Sequence, residues 1–522
     1  MGTNFSRVYA AALEGVEARL VEVETDLHVG LHAFNIVGLA DKALSEAKER
    51  VSSALKNSGV RPPTKENRKI VVNLAPADIK KTGSHYDLAI AVGYLLASQQ
   101  VKPFQTKDKM FVGELALDGS LRPVNGSLSI TRLAAKKKFK FLFVPKVNAA
   151  EAAIISGIKI IPLENFTDII DYLEGNLKIR PQPPTMLDVR GPAPHTDLSE
   201  IKGQGNAKRA LLIAAAGGHN LLMIGAPGGG KTMLAQALAG ILPPLALEEL
   251  IEATQIYSAA GLLGEEPYIA HRPFRAPHHT ASEPAVIGGG SYPRPGEISL
   301  AHRGVLFLDE LPEFHRDVLE SLRQPLESGR VVVARSRSHL NLPARFVLVA
   351  AMNPCPCGYQ SDDQRRCTCM QFEIHRYQRK VSGPLLDRID LQIYVPRVEL
   401  RELRIKNKEL SSESEEYRGR VIKARQLQSE RFSQLSRRLH TNSELSSKLS
   451  DKLIKLTPEA ERFIDQVWDR YQLTARGYYR ILKVAQTIAD LEESPVVKYA
   501  HISEAFSYRL RQGLEFQELK GA

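Results

Sequence analysis

Apolar residues recur along this chain in two rhythms. VEARLVEVETDL (16–27), FNIVGL (34–39), KIVVNLAP (69–76) and FLFVP (141–145) alternate or run together as strands do. Between them, Asp41 to Ser58 spaces Ala43, Ala47, Val51 and Leu55 four apart, the period of a helix face. YDLAIAVGYLLAS (86–98) is apolar all round, as a buried helix is. Residues 1–178 therefore predict an α+β domain with its own core. IRPQPPTMLDVRGPAPH carries five prolines and predicts an extended linker over 179–196. Strands and helices alternate again over 197–400, predicting an α/β core. Beyond it, SESEEYRGRVIKARQLQSERF (412–432) predicts a charged helix and Thr457 to Leu519 a last helical block, so 401–522 is a helical C-terminal part. No repeat with a period of roughly 20 to 50 residues is visible.

Composition narrows the setting. At 522 residues the chain exceeds one ordinary core, so about two to four domains are expected. Apolar residues make up 43% and charged residues 25%, and no apolar run approaches the ~20 residues of a membrane helix, so no membrane partner is expected. Charged residues interrupt every early apolar stretch, which argues against a secretory signal. The opening MGTNFS fits the loose myristoylation pattern, a modification of eukaryotic cytosol, and is set aside. Only four cysteines and no export signal predict a cytoplasmic protein, where clustered thiols favour metal over disulfide. A net charge of +11 leans toward polyanionic partners, but 59 acids are interspersed with the 70 bases, so charge alone does not decide it.

NLLMIGAPGGGKTMLAQALAG (220–240) changes the picture most. An apolar strand ends at Ile224, the loop Gly225, Ala226, Pro227, Gly228, Gly229, Gly230 follows, and a helix is predicted from Lys231 through Thr232 and Met233. Gly225, Gly230, Lys231 and Thr232 satisfy G-x-x-x-x-G-K-[ST], a match with accidental odds of ~2% at average residue usage. Glycines let successive backbone N–H groups cradle an anion at a helix N-terminus. Lys231 would reach the β and γ phosphates of ATP, and the Thr232 hydroxyl would ligate Mg²⁺. In GVLFLDELPEF (304–314), the strand Val305 to Leu308 delivers Asp309 and Glu310 to its carboxyl end, where open α/β sheets bind ligands. Asp309 would hold the metal and Glu310 would polarise the attacking water. The plainer reading, a helix cap, loses weight downstream of a phosphate loop. A third strand, FVLVAAMN (346–353), ends in Asn353.

These stretches, with LHAFNIVGLADKALSEAKERV, VVNLAPADIKKTGSHYDLAIA, DLSEIKGQ, RPFRAPHHT, GPLLDRID and TARGYYRILKVAQTIADL, resemble the magnesium-chelatase-like AAA+ ATPase family, of the bacterial competence (ComM/YifB) type. The resemblance spans almost the whole chain. It implies an α/β fold: a P-loop AAA+ core with a helical lid, preceded by an α+β Lon-protease/S5-like N-terminal domain. It implies that Asn353 is sensor 1, orienting the lytic water, and that Arg388 in GPLLDRIDL is the arginine finger completing a neighbour's site. Sensor 2 would be Arg476 or Arg480, with Arg476 preferred by motif position. It further implies a homohexameric ring, and an ATP-driven DNA helicase and branch-migration motor in homologous recombination during natural transformation. Single-stranded or branched DNA and recombination proteins would be its partners. The alternative within the family is a protein-remodelling or metal-insertion subunit, although nothing here resembles the integrin-like metal-binding domain of the chelatase partners. A peptidase reading would need Ser84 in GSHYD (83–87) to act like the serine of Lon. The G-P-S-A-G context is missing and NGSLSITRLAA (125–135) offers no lysine, so the domain is expected to be peptidase-inactive.

Two segments remain. RVVVARSRSHLNLPARFVLV (330–349) predicts a β-hairpin whose alternating Arg335, Arg337 and His339 share one face near the tip. In ring helicases such a hairpin tracks phosphates in the channel, so these three are the candidate DNA contacts. Chelatase motors carry the same hairpin without DNA, so the resemblance carries this reading more than charge does. HRPFRAPHHT (271–280), with Arg272, Arg275, His278 and His279, predicts a basic loop facing the ring pore or a neighbour. NPCPCGYQSDDQRRCTCM (353–370) holds Cys355, Cys357, Cys367 and Cys369, an insertion between sensor 1 and the finger segment. All four falling in so short a window has odds of roughly one in ten thousand, and two Cys-x-Cys pairs can supply one tetrahedral structural Zn²⁺. His375 is a spare ligand. The expected role is to hold Asn353 and the finger in register, while Arg365 and Arg366 offer themselves to DNA or the adjacent subunit.

Overall fold

The computed structural model describes residues 4–31, 33–39, 41, 44, 46–63, 68–188, 196–289, 294–335, 338–360, 362, 364–398, 401, 413–435 and 439–509, without the side chains of 334–340. The chain forms two compact units, one of 1–188 with 247–270 and 293–295, the other of the remainder.

The first unit is built on a seven-stranded mixed sheet. Its strands are β1 (Phe5–Glu14), β2 (Glu17–Val29), β3 (Ala33–Val37), β4 (Arg68–Ala75), β5 (Lys109–Phe111), β6 (Phe141–Pro145) and β7 (Lys159–Leu163), in the order β3-β4-β2-β1-β5-β6-β7. The helices α1 (Ala47–Asn57), α2 (Asp87–Ala97), α3 (Ser127–Lys136), α4 (Lys146–Ala152) and α5 (Phe166–Glu174) pack on it. β1, FSRVYAAALE, is a strand that the pattern did not announce, because its alanine run favours a helix when read alone. Tertiary pairing overrides that preference. Val8, Ala10 and Ala12 share one core with Leu88, Ala91 and Leu95 of α2, while Ala11 enters a second core with Met110, Ile130 and Ala134. A strand buried on both faces needs small side chains on each, and period 2 provides them.

Residues 247–270, which the pattern assigned to the α/β core, cluster with this first unit. Their helix Leu247–Ala260 packs on α3: Gly126 N–H donates to Ser258 O (3.1 Å), and Arg132 donates to Gln255 (2.9 Å). The first part of the proline-rich stretch is tied down as well. Gln182 N–H donates to Ile160 O (2.8 Å) and Asp188 N–H to Tyr268 Oη (2.9 Å).

The second unit carries a five-stranded, all-parallel sheet. Its strands are β8 (Leu221–Ile224), β9 (Phe274–Arg275), β10 (Val305–Leu308), β13 (Val347–Met352) and β14 (Leu391–Tyr394), in the order β9-β10-β13-β8-β14; β11 (Arg330–Arg335) and β12 (Ser338–Pro343) form a separate antiparallel hairpin. β8, β10 and β13 are buried along their whole length, the near-continuous apolar signature of a parallel sheet covered on both faces. α6 (Gly205–Gly217) precedes β8 and α7 (Lys231–Ile241) follows it. The charged segment is one helix, α8 (Glu413–Phe432). It turns Val421, Ala424, Gln428 and Phe432 inward, and Arg418 and Arg425 donate to the carbonyls of Gly240 and Ala215 (2.7 Å each). α9 (Pro458–Tyr471), α10 (Ala475–Leu491) and α11 (Tyr499–Ser507) complete the helical part. Thr474 caps α10 by accepting from Gly477 N–H (3.0 Å). Among the described residues no helix is long and apolar enough to cross a membrane.

Candidate functional site

The chemistry gathers at the carboxyl ends of β8, β10 and β13, neighbours in the parallel sheet. Gly225 leaves β8 so close to the chain after β14 that a Cβ there would stand 2.1 Å from Val395 O. Gly228 and Gly230 both take φ of 81°, and Gly230 is the residue that opens α7. Buried Lys231 donates to Gly225 O (2.7 Å), Ala226 O (3.0 Å) and Asn353 Oδ1 (3.2 Å). Burial lowers its pKa, while Asp309 and Glu310 work to keep it charged. Thr232 Oγ1 donates to Asp309 Oδ2 (3.2 Å), so the two residues expected to hold Mg²⁺ already meet. Within the 225–233 segment, Ala226 is buried while Pro227 and Met233 are exposed.

Glu310 is exposed and takes a left-handed backbone (φ 51°), an uncommon and strained state for a non-glycine residue. Its N–H donates to Asp309 Oδ1 (2.9 Å), and its carboxylate lies 3.4 Å from His279 Nδ1. His279 rests against His278 and meets Phe314 edge-on. In sequence, His279 belongs to the basic stretch 271–280. Its position after the edge strand β9, which pairs with β10, is what brings it to Glu310 at the end of β10.

Of that segment, expected as a basic loop facing the ring pore or a neighbour, Arg272 and Arg275 turn inward while His271 and His278 stay exposed. Arg272 is buried and donates to Pro243 O and Arg303 O (2.6 Å each), and Arg275 forms a bidentate pair with Glu297 (2.6 and 2.7 Å). Two-point carboxylate recognition is the geometry guanidinium suits best, and it leaves little charge to offer outward.

The three arginines at the other end of the sheet sort themselves. Arg388 lies before β14, on the amino side, where Asn220 Nδ2 donates to its carbonyl (3.2 Å). Its Nη2 pairs with Glu327 (2.8 Å), and Arg476 pairs with the same Glu327 oxygen. Arg480 is committed elsewhere: it donates to Arg388 O (2.8 Å) and pairs with buried Asp390. Burial opposes ionisation of Asp390, but Arg480, His219 (3.6 Å) and Asn220 N–H (3.0 Å) hold it well below the usual carboxylate range. None of these contacts brings Arg388, Arg476 or Arg480 to Lys231.

The four cysteines converge. Their ligand atoms all lie within 4.8 Å of one another, with Cys355 Sγ 3.4 Å from Cys357 Sγ and 3.7 Å from Cys367 Sγ. Burial raises the Cys355 thiol, whereas the N–H groups of Thr368 and Tyr359 lower that of Cys357 against its own burial. His375, the spare ligand of the sequence reading, is not in this group and stands 3.2 Å from Gln371. Arg365 donates to Tyr359 Oη (2.8 Å) and stacks on its ring. Arg335, Arg337 and His339 lie outside the described side chains, although the backbone pairs Arg335 with Ser338 and Ala334 with His339. In the first unit, Ser84 Oγ donates to Glu114, and burial pushes His85, which contacts Ala11 O (2.9 Å), down to about 4. The Lys81 ammonium is given to Pro76 O.

Three family descriptions match the chain: "Subunit ChlI of Mg-chelatase" over residues 23–148, "Magnesium chelatase, subunit ChlI" over 197–403, and "Magnesium chelatase, subunit ChlI C-terminal" over 411–509. The chain is 43% identical to Competence protein ComM of Haemophilus influenzae, over 96% of this chain and 97% of that protein. It is 42% identical to a YifB protein of Escherichia coli, over 97% of each. A shorter likeness, 32% over 30% of this chain, is to the magnesium-chelatase 38 kDa subunit of Acidiphilium rubrum, 51% of which is covered.

Proposed function

The chain belongs to the magnesium-chelatase-like AAA+ family of the ComM/YifB type, and on that premise we propose that it is an ATP-hydrolysing ring motor acting on DNA. One observation carries the reading: Lys231, Thr232, Asp309 and Asn353 converge at the carboxyl ends of three adjacent parallel strands. The residues fit a magnesium nucleotide. The loop 225–230 runs into a helix N-terminus, and its close passage past Val395 leaves no room for a side chain at Gly225. Lys231 and residues 225–233 would bind the phosphates, and Thr232 with Asp309 would hold Mg²⁺. The bound Mg–ATP supplies the phosphoryl group and the charge that the site must stabilise.

The chain's own groups then divide the work. Glu310 orients a water and takes its proton, and His279 holds the Glu310 carboxylate. Asn353 positions the Lys231 ammonium and the water. Arg388 serves the site of the adjacent subunit, with Arg476 beside it as sensor 2, because both arginines are anchored on Glu327. A finger supplied in trans requires a closed ring, and the family resemblance makes that ring a homohexamer. The first unit is a Lon-protease/S5-like domain without peptidase activity, a reading supported by Ser84 donating to Glu114, and not to a lysine as in Lon, while the Lys81 ammonium is given to Pro76 O. A structural Zn²⁺ on the four cysteines completes the cofactor set.

The role on DNA, as a helicase and branch-migration factor in recombination during natural transformation, rests on likeness to the relative named as a competence protein. Arg335, Arg337 and His339 are its proposed contacts, and the protein works in the cytoplasm. Single-stranded or forked DNA should raise ATPase activity in a salt-sensitive way, and Glu310→Gln should hold ATP-bound rings on DNA. ATPase indifferent to every DNA structure, together with a stable complex with an integrin-like chelatase partner, would instead support the metal-insertion reading.

A further inference from the structure

We infer that the four-cysteine knuckle is a Zn²⁺ site that anchors the phosphate loop, so that the metal sets nucleotide affinity. The inference rests on the reading that residues 225–233 bind nucleotide, and it adds a metal-dependent control of that site.

The first half of the argument is the donor geometry. Four thiolates at ~2.3 Å from one Zn²⁺ stand ~3.8 Å apart in a tetrahedron. Cys355 and Cys357 are 3.4 Å apart, Cys357 and Cys367 3.5 Å, and Cys355 and Cys367 3.7 Å, with Cys369 inside the same 4.8 Å group. Two disulfides would need two separate pairs; here four free thiols face one centre. Backbone N–H groups already point at sulfur, as they do where thiolate charge must be stabilised. Cys357 N–H donates to Cys369 Sγ (3.4 Å) and Gln360 N–H to Cys355 Sγ (3.3 Å). Binding Zn²⁺ replaces the thiol protons and leaves a closed four-thiolate site, with no open position for catalysis.

The second half is what the knuckle touches. Gly358, one residue past Cys357, has φ of 83°. A Cβ at Gly358 would stand 2.6 Å from Pro227 Cδ and 3.8 Å from Asn353 Cγ. The turn that carries Cys357 therefore lies tight against Pro227 of the phosphate loop and close to Asn353, the Lys231 partner. On its far side the insertion is held by Asp362, which pairs with Arg397 (2.9 Å) and accepts from the N–H groups of Gln364 and Arg365 (2.9 Å each). A surface loop of this length has little apolar core of its own; a metal supplies the rigidity that packing does not. Pro227 is exposed, and the Gly358 turn lies against it. Misplacing a binding group by ~1 Å can cost on the order of 10²-fold.

The test uses the full-length protein and three variants. Elemental analysis should find about one zinc per chain, released when a mercurial titrates the thiols. Cys367→Ser should lose the zinc and bind a fluorescent ATP analogue at least about tenfold more weakly. Gly358→Val should keep its zinc, since all four thiols remain, yet weaken nucleotide binding to a similar degree, because the added side chain would press on Pro227. That variant separates a loop effect from a folding failure. Lys231→Ala should retain zinc and lose nucleotide. Protein purified without zinc overturns the inference, and so does nucleotide affinity unchanged in Cys367→Ser or in Gly358→Val. Nucleotide binding unchanged in Lys231→Ala would instead overturn the phosphate-loop reading, while the zinc content still answers for the metal.

Discussion

Arg388 gives the sharpest quantitative expectation. β14 pairs with β8 in the register Leu221↔Leu391 to Ile224↔Tyr394, and the phosphate loop begins at the far end of that register. Four residues at ~3.3 Å separate Arg388 from its own loop by at least about 13 Å along the strand, beyond an arginine's reach. Its guanidinium is also engaged locally, by Glu327 and by Pro384 O. Arg388→Ala should thus lower ATPase activity by roughly 10³-fold or more, the usual worth of such a finger, while leaving ATP binding intact. The decisive assay mixes Arg388→Ala with Lys231→Ala subunits. In rings assembled at random from equal amounts, about one site in four pairs an intact Lys231 with a neighbour's intact Arg388, so activity should recover to about a quarter of wild type. If Arg388 served its own subunit, every site would carry a defect. Mixed rings, verified with two affinity tags, that stay as inactive as their parents would refute the reasoning.

Further outcomes follow from neighbouring contacts. Glu327→Gln frees the two arginines that it holds; kcat should fall about tenfold to a hundredfold with KM for ATP nearly constant, and a raised KM would contradict a positioning role. His279→Ala should lower kcat by about tenfold through loss of the hold on Glu310, without altering nucleotide affinity, and unchanged turnover would remove His279 from the mechanism. Asp390→Asn breaks a buried charge cluster and should cost about 3–5 kcal/mol at neutral pH. The pKa of Asp390 is depressed in the folded state, so its contribution is complete above the unfolded value of ~3.9 and lost as pH falls through the folded one. Thermal melts should show wild type and variant converging below about pH 4, and a constant gap across pH would exclude the ion-pair explanation.

Legibility varied with how local each signal was. The meeting of the glycine-rich loop 225–230 with Asp309 and Asn353 was foreseeable because each follows an apolar strand, the first two with a glycine or acidic signature and Asn353 through the family resemblance. β1 could not, since FSRVYAAALE becomes a strand only when two cores close on its alanines. The inward turn of Arg272 and Arg275 was equally hidden: their partners, Pro243, Arg303 and Glu297, are 22 to 31 residues away. The choice between Arg476 and Arg480 was open in sequence because both lie on the same helix start. In the structure Arg480 is taken up by Asp390, while Arg476 joins Arg388 on Glu327. Cysteine clustering was legible, but the contact of Gly358 with Pro227 needed the fold.

Nucleotide hydrolysis at Lys231 is proposed to drive work on DNA. Unwinding of a forked duplex by the wild-type protein, measured beside Lys231→Ala with ATP present in both, tests it most directly. Wild type should separate the strands only with hydrolysable ATP, and Lys231→Ala should separate none. Wild-type protein that hydrolyses ATP yet leaves every forked and branched substrate intact would contradict it.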